Sequence, residues 1–159
     1  MQTCYIGLGS NLDDPRSQIA RALAALAAHP SMELVCTSSY YGSKAVGPGE
    51  QPDFVNAVAE LRTALEPLDL LHALQAIEQQ QGRVRAVRWG ARTLDLDILL
   101  YGDLQLSSSE LTLPHPRLQE RPFVVVPLAE IAPELTLPDG TCLDRLLDYA
   151  SREDVWRLE

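Results

Sequence analysis

The ten residues Phe54 to Thr63 (FVNAVAELRT) alternate without interruption, with Val55, Ala57, Ala59 and Leu61 on one side and Phe54, Asn56 and Val58 on the other. A period of two sustained over this length fits an extended strand, because a helix would scatter the same side chains round its circumference. The flanking sequence supplies partners for it. Thr3 to Leu8 (TCYIGL) reads as a buried strand that ends at Gly9-Ser10-Asn11, its glycines forming a tight turn into a helix. That helix is capped by Asp13 or Asp14, has Pro15 in its first turn and Ile19, Leu23 and Leu26 on one face, and stops near His29-Pro30. Leu34 to Tyr41 reads as a second strand, and Gly42 to Pro52, rich in glycine and proline, as a loop. Pro67 opens another helix with Leu70, Leu71, Leu74 and Ile77 at helical spacing, Gly82 closes it, and Leu94 to Tyr101 is a further strand.

The order β-α-β-β-α-β predicts an α+β fold of the ferredoxin-like kind, an antiparallel sheet with both helices on one face. The opposite face is left to a ligand or to the C-terminal additions. Those additions hold a strand-like Phe123 to Val126, several Pro-bounded turns and a short helix near Leu143 to Tyr149. At 159 residues, 46% hydrophobic and 22% charged, the chain fits one globular domain spanning 1–159. Cys4, Cys36 and Cys142 are odd in number and widely spaced, which predicts buried free thiols in a reducing compartment rather than a disulfide framework or a zinc site. No signal peptide and no long apolar run is seen, so a cytoplasmic monomer without membrane contact is expected.

Charge narrows the function. With 22 acidic against 13 basic residues the formal charge is −9, which argues against a general nucleic-acid binder. Yet Arg83 to Arg92 (RVRAVRWGAR) holds four arginines and Trp89 without one acid, a concentration that suits a small polyanion. Bracketed by Gly82 and Gly90, this stretch reads as a mobile lid. Side chains at i and i+2 of a strand share a face, so Asp95 and Asp97 project together about 7 Å apart, able to hold two hard cations. Taken alone, two alternating acids are an ordinary solvated face. Beside arginines, whose planar forks match phosphate oxygens, they make the pair of charge types that handles a nucleoside triphosphate with Mg²⁺. Other nucleotide signatures fail: Gly7-Leu8-Gly9-Ser10-Asn11-Leu12 lacks the third glycine of GxGxxG, and no GK[ST] is present. No nucleophile-histidine arrangement can be argued, and His115 between Pro114 and Pro116 reads by itself as a rigid turn residue.

Four segments, YIGLGSNL (Tyr5 to Leu12), QPDFVNAV (Gln51 to Val58), the Arg83 to Ile98 run ending RTLDLDI, and LPHPRLQERPFVVVPLAEIAP (Leu113 to Pro133), together resemble the 6-hydroxymethyl-7,8-dihydropterin pyrophosphokinases of folate biosynthesis in order and spacing. The resemblance implies a ferredoxin-like fold and transfer of pyrophosphate from ATP to the pterin hydroxymethyl group, with AMP released. It implies that Asp95 and Asp97 ligate two Mg²⁺ ions and that Arg83, Arg92 and Trp89 close over the reactants. For the pterin it implies Ser43, Val46, Phe54, Asn56, Trp89 and Phe123. For ATP it implies Gln75, Glu78, Arg83, Arg88, Trp89, Arg92, Ile98, Thr112, His115 and Arg121. The chain departs from the family at Lys44 and Ala45, where a Pro pair sometimes stands, and at Ala91, where Pro is usual, and the lid is one residue shorter than in some members. Two rivals from other classes are a Mg²⁺-ATP sensor without turnover and an RNA-binding ferredoxin-like module, the latter disfavoured by the acidic balance.

Overall fold

The computed structural model describes residues 1–12, 14–44, 51–81, 94–149 and 155–158. The elements are β1 (Gln2–Ser10), α1 (Pro15–Ala28), β2 (Met32–Thr37), β3 (Tyr41–Ser43), β4 (Phe54–Thr63), α2 (Pro67–Gln80), β5 (Asp95–Tyr101), β6 (Leu106–Ser107), β7 (Thr112–Leu113), α3 (Pro122–Ile131), α4 (Leu143–Tyr149) and β8 (Val155–Arg157). The alternating segment that begins at Phe54 becomes β4 with its expected bounds, and it is the centre of the sheet. β1 pairs with it antiparallel along its length, from Gln2 opposite Thr63 to Ser10 opposite Val55. Its other edge is shared by β2 and β3, and the sheet runs β5-β1-β4-β3-β8 with β2 beside β3 on β4. The expected α+β, βαββαβ core is therefore present, with β8 added outside β3.

Several local expectations are corrected. The single strand over Leu34 to Tyr41 is two strands: at the break Ser38 donates its N–H to the Val58 carbonyl at 2.8 Å, and its hydroxyl accepts the Val58 N–H at 2.9 Å. A serine side chain thus stands in for a ladder group, and Gly42 and Ser43, expected in a loop, lie in β3. Gly9, expected in a turn, lies inside β1 together with Gly7. Phe123 to Val126 is helical, not extended. Pro122 occupies the first turn, where its missing N–H costs nothing, and Val124, Val125, Leu128 and Ala129 bury one helical face, so packing overrides the strand preference of three consecutive valines. Asp14 precedes α1 in a left-handed conformation (φ 61°) and makes no side-chain cap; its carboxylate accepts the Ser17 hydroxyl at 2.8 Å instead. Burial of the cysteines holds for Cys4, whose thiol burial pushes up to about 12, while Cys36 is half-buried and Cys142 exposed.

Both faces of the sheet carry a core. On one, Ile6, Leu8, Ala59, Leu61, Leu96 and Ile98 meet Ile19 and Leu26 of α1 and Leu70, Leu74 and Ile77 of α2. On the other, Tyr5, Val58 and Leu99 meet Val124, Val125 and Leu128 of α3 and Leu143 of α4. Each fully buried Leu or Ile contributes about 1.5–3 kcal/mol, so these faces outweigh local propensity. The C-terminal third thus covers part of the second face, and the rest of that face carries the polar groups described next. Among the described residues no helix is long and apolar enough to cross a membrane.

β8 is seated by one glycine. A Cβ on Gly42 would lie 2.3 Å from Nε1 of Trp156, its cross-strand partner, so the indole occupies the space a side chain would need. Gly42→Ala is expected to destabilise the fold by about 1–3 kcal/mol in urea unfolding, as the indole is forced off β3. In a Trp156→Ala background most of that loss should vanish; an equal loss in both backgrounds would show that the ring is not the cause.

Candidate active site

The strand registers assemble the polar face. Asp97 and Asp95 of β5 lie opposite Gly7 and Gly9 of β1, Gly9 opposite Asn56 of β4, Asn56 opposite Tyr41 of β3, and Tyr41 opposite Arg157 of β8. Cross-strand partners share a face, so Asp95, Gly9, Asn56, Tyr41 and Arg157 form one row across five strands. Phe54 and Ser43 are partners in the adjoining row. A Cβ on Gly9 would come 3.4 Å from the Asn56 Oδ1 and 3.8 Å from the Phe54 ring, which puts the open side of Gly9 toward both. Glycine here keeps a trough between the carboxylates and the Asn56–Phe54 pair. A glycine inside a strand pattern, next to paired acids two strands from an amide, is the signal that could have found it.

Asn56 is buried and donates its amide to the Ser43 hydroxyl at 2.7 Å, also buried. Phe54 is half-buried beside it. At the mouth of β4, the almost wholly buried Asn11 donates to the Pro52 carbonyl at 3.1 Å and to Gln51 at 3.4 Å, fixing how the chain enters Phe54. Phe123 lies in the first turn of α3, and the Arg121 guanidinium lies 5.6 Å above its ring centroid, within cation–π range. Burial draws the Arg121 pKa down, Asp97 and Asp95 pull the other way, and Arg117 adds repulsion. Arg121 thus sits in the field of both carboxylates and stays charged.

His115 is tied beside β5 by its N–H to the Leu99 carbonyl at 2.9 Å. Burial, then the charges of Arg121 and Arg117, push its pKa down to about 4. Its Nδ1 accepts the Arg117 N–H at 3.2 Å, so the neutral ring carries its proton on Nε2, ready to donate. On the far edge of β5 the buried Glu78 of α2 accepts the N–H of Leu96, between the two aspartates, at 2.8 Å. Gln75, one turn earlier, is exposed, as is Thr112 in β7. Ile98 is buried in the helix-side core, so its side chain faces away from the aspartates. Val46, Arg83, Arg88, Trp89 and Arg92, and the expected lid with them, lie outside the described residues.

Paired carboxylates on one strand, an arginine in their field, a histidine held neutral as a donor and an aromatic–amide pair two strands away are groups whose chemistry suits phosphate oxygens at one end and a flat polar ring at the other. Comparison with known proteins agrees. Residues 5–133 match the family described as 7,8-dihydro-6-hydroxymethylpterin-pyrophosphokinase (HPPK). The chain is 54% identical over 158 residues to the 2-amino-4-hydroxy-6-hydroxymethyldihydropteridine pyrophosphokinase of Pseudomonas aeruginosa, covering 99% of this chain and 98% of that one. The Haemophilus influenzae protein of the same name is 53% identical over 147 residues, 92% of each chain. In fold it is similar to HPPK-DHPS of Plasmodium falciparum (TM-score 0.73, 13% identity, 98% of this chain), of whose chain it spans 46%, about half the length. The chain belongs to the 7,8-dihydro-6-hydroxymethylpterin-pyrophosphokinase family, the pyrophosphokinases of folate biosynthesis.

The histidine gives a test of the electrostatics. With a folded pKa near 4 and an unfolded value near 6.5, the unfolded chain binds the proton more readily between those limits. His115 therefore lends full stability above about pH 6.5, and this is lost as pH falls toward 4. Its ring resonances should stay unshifted from pH 8 to 6 and titrate near 4, and His115→Gln should flatten that part of the stability–pH curve. A ring midpoint above 6 would show that the two arginines and burial do not govern it.

Proposed function

We propose that the chain transfers the pyrophosphoryl group of ATP to the hydroxymethyl oxygen of 6-hydroxymethyl-7,8-dihydropterin, with AMP leaving. The observation that carries this reading is the row from Asp95 through Gly9 to Asn56. Asp95 and Asn56 stand two strand spacings apart, about 10 Å, with only Gly9 between them, which supports reading one end as phosphate-handling and the other as heterocycle-binding. Phe54 and Phe123 suit the faces of the bicycle, while Asn56, oriented by Ser43, reads its edge. Val46 and the backbone of the loop before β4 complete that end in this reading. On the ATP side His115 offers its Nε2–H, Arg121 its guanidinium, and Gln75, Thr112 and the backbone of Ile98 line the approach.

The carboxylates fit Mg²⁺. Asp95 and Asp97 are half-buried neighbours on one face, and among the described residues there is no group of three or more His, Cys, Asp or Glu that could cage an ion alone. A cation held by two carboxylates completes its shell with phosphate oxygens and water, which is the habit of Mg²⁺. When bound, two such ions supply neutralisation of the phosphate charge. Asp95 and Asp97 hold them, Arg121 and His115 orient the phosphates, and Arg83, Arg88, Trp89 and Arg92 contribute charge and cover around the moving group. A loose transfer develops little bonding to the nucleophile, so positioning rather than a strong base carries the rate.

The deciding experiment uses ATP labelled at the β-phosphorus. The label should pass to the pterin as a diphosphate ester, and the nucleotide released should be unlabelled AMP. Labelled ADP with a pterin monophosphate would overturn the reaction, and intact ATP in a folded preparation would favour a sensor. Independently, Asp97→Ala is expected to lower turnover a hundredfold or more, about 3 kcal/mol in barrier, with little change in melting temperature. A variant that unfolds yet keeps its activity per folded molecule would make Asp97 a structural residue.

A further inference from the structure

Glu130 lies on α3, exposed, against the Tyr41 end of the row that runs from Asp95 to Arg157. Its carboxylate collects donors from the β2–β3 connection. Ser39 donates its N–H to both oxygens, at 2.9 and 3.1 Å, and its hydroxyl at 3.0 Å, and Tyr41 of β3 donates its phenol. Arg157 of β8 adds positive charge, so the carboxylate answers three segments. Burial works against this charge, but the bonds from Tyr41 and Ser39 outweigh it and hold the group below the usual carboxylate range. Burial and Glu130 together push the Tyr41 phenol up to about 12, so it remains a donor.

The spacing on both elements gives the contact a purpose. Phe123 and Glu130 are seven residues apart, two turns or about 10 Å along one face of α3. Tyr41 and Ser43 are two residues apart on one face of β3, about 7 Å. Glu130 on Tyr41 is therefore a fixed point on the same two elements that carry Phe123 and Ser43. The apolar cluster under α3, with Val124, Val125 and Leu128, holds the helix down. Apolar packing is less directional than hydrogen bonding, and the bonds to one carboxylate add a fixed point to it.

We propose that Glu130 is a positioning residue for the pterin: by fixing α3 against β3 it sets the gap between Phe123 and the Asn56–Ser43 pair. The inference rests on the reading of that gap as the pterin site. Its test is a split between the two substrates. Glu130→Ala should raise KM for the pterin roughly tenfold, equivalent to about 1.4 kcal/mol, while kcat and KM for ATP stay within about twofold. Glu130→Gln, whose amide oxygen can still accept the Ser39 N–H, should recover part of the loss, and Tyr41→Phe should show a smaller rise in the same direction. Calorimetric pterin affinity, measured with a non-hydrolysable ATP analogue, should fall in step. An unchanged pterin KM and affinity in Glu130→Ala would overturn the inference, as would a uniform fall in all parameters that tracks the loss of folded protein. Should the wild-type chain show no transfer, the proposed reaction fails on its own account, and the pterin affinities of the same variants still decide the role of Glu130.

Discussion

In the β1–β4 ladder Gln2 faces Thr63 and Ser10 faces Val55, and nearly every later placement inherits that register. A slip of one residue would turn Asn56 to the helix side and bring Ala57 into the trough. The slip is resisted because β4 is buried on both faces: Ala57, Ala59 and Leu61 belong to one core, and Val58 to the other. Moving all of them costs several buried side chains at once, at about 1.5–3 kcal/mol for each large one. The polar site is thus aligned by apolar groups that never touch a substrate. Because β5 and β3 are hung on β1 and β4, the carboxylates and Ser43 arrive in register without needing bonds to each other.

The features legible in the sequence were those with a period or a composition. The alternation of β4 and the helical spacing of Leu70, Leu74 and Ile77 survive folding because both faces of the pattern are satisfied by burial. Asp95 and Asp97 were legible as a pair because i and i+2 on a strand share a face whatever the tertiary context. The four segments of family resemblance added roles to residues whose surroundings local pattern could not reveal, His115 above all. Its neutrality comes from burial and from arginines two and six positions on, brought near by the turn at Leu118–Glu120.

The misreadings have one cause, which is that local preference yields to a long-range partner. Gly9 suggests a turn when only its neighbours are considered, but it has a cross-strand partner on two sides, and the ladder keeps it extended. Three consecutive valines favour a strand until Pro122 starts a helix whose buried face takes Val124 and Val125. Ser38 breaks a strand because its hydroxyl can take a backbone position in the ladder. Glu130 gives no sequence signal at all, since its partners are about ninety residues away.

The electrostatics of the site explain how a chain of charge −9 can receive a polyanion. Charge at long range is screened within about 10 Å at ordinary ionic strength, so the local arrangement decides. Arg121 and Arg117 stand near one another and near His115, and burial keeps the imidazole neutral there. A third positive charge would compete with the arginines for the same oxygens and raise the cost of burying them. A neutral donor instead adds a directed hydrogen bond without adding repulsion. The aspartates act in the complementary sense. Their field steadies Arg121 when the site has no substrate, and in the proposed reaction they turn to cations that carry the phosphate charge. In that proposal one pair of carboxylates on one strand faces Arg121 in the free site and the cations in the loaded one, so no third protein ligand is needed, and among the described residues there is no cage of three or more.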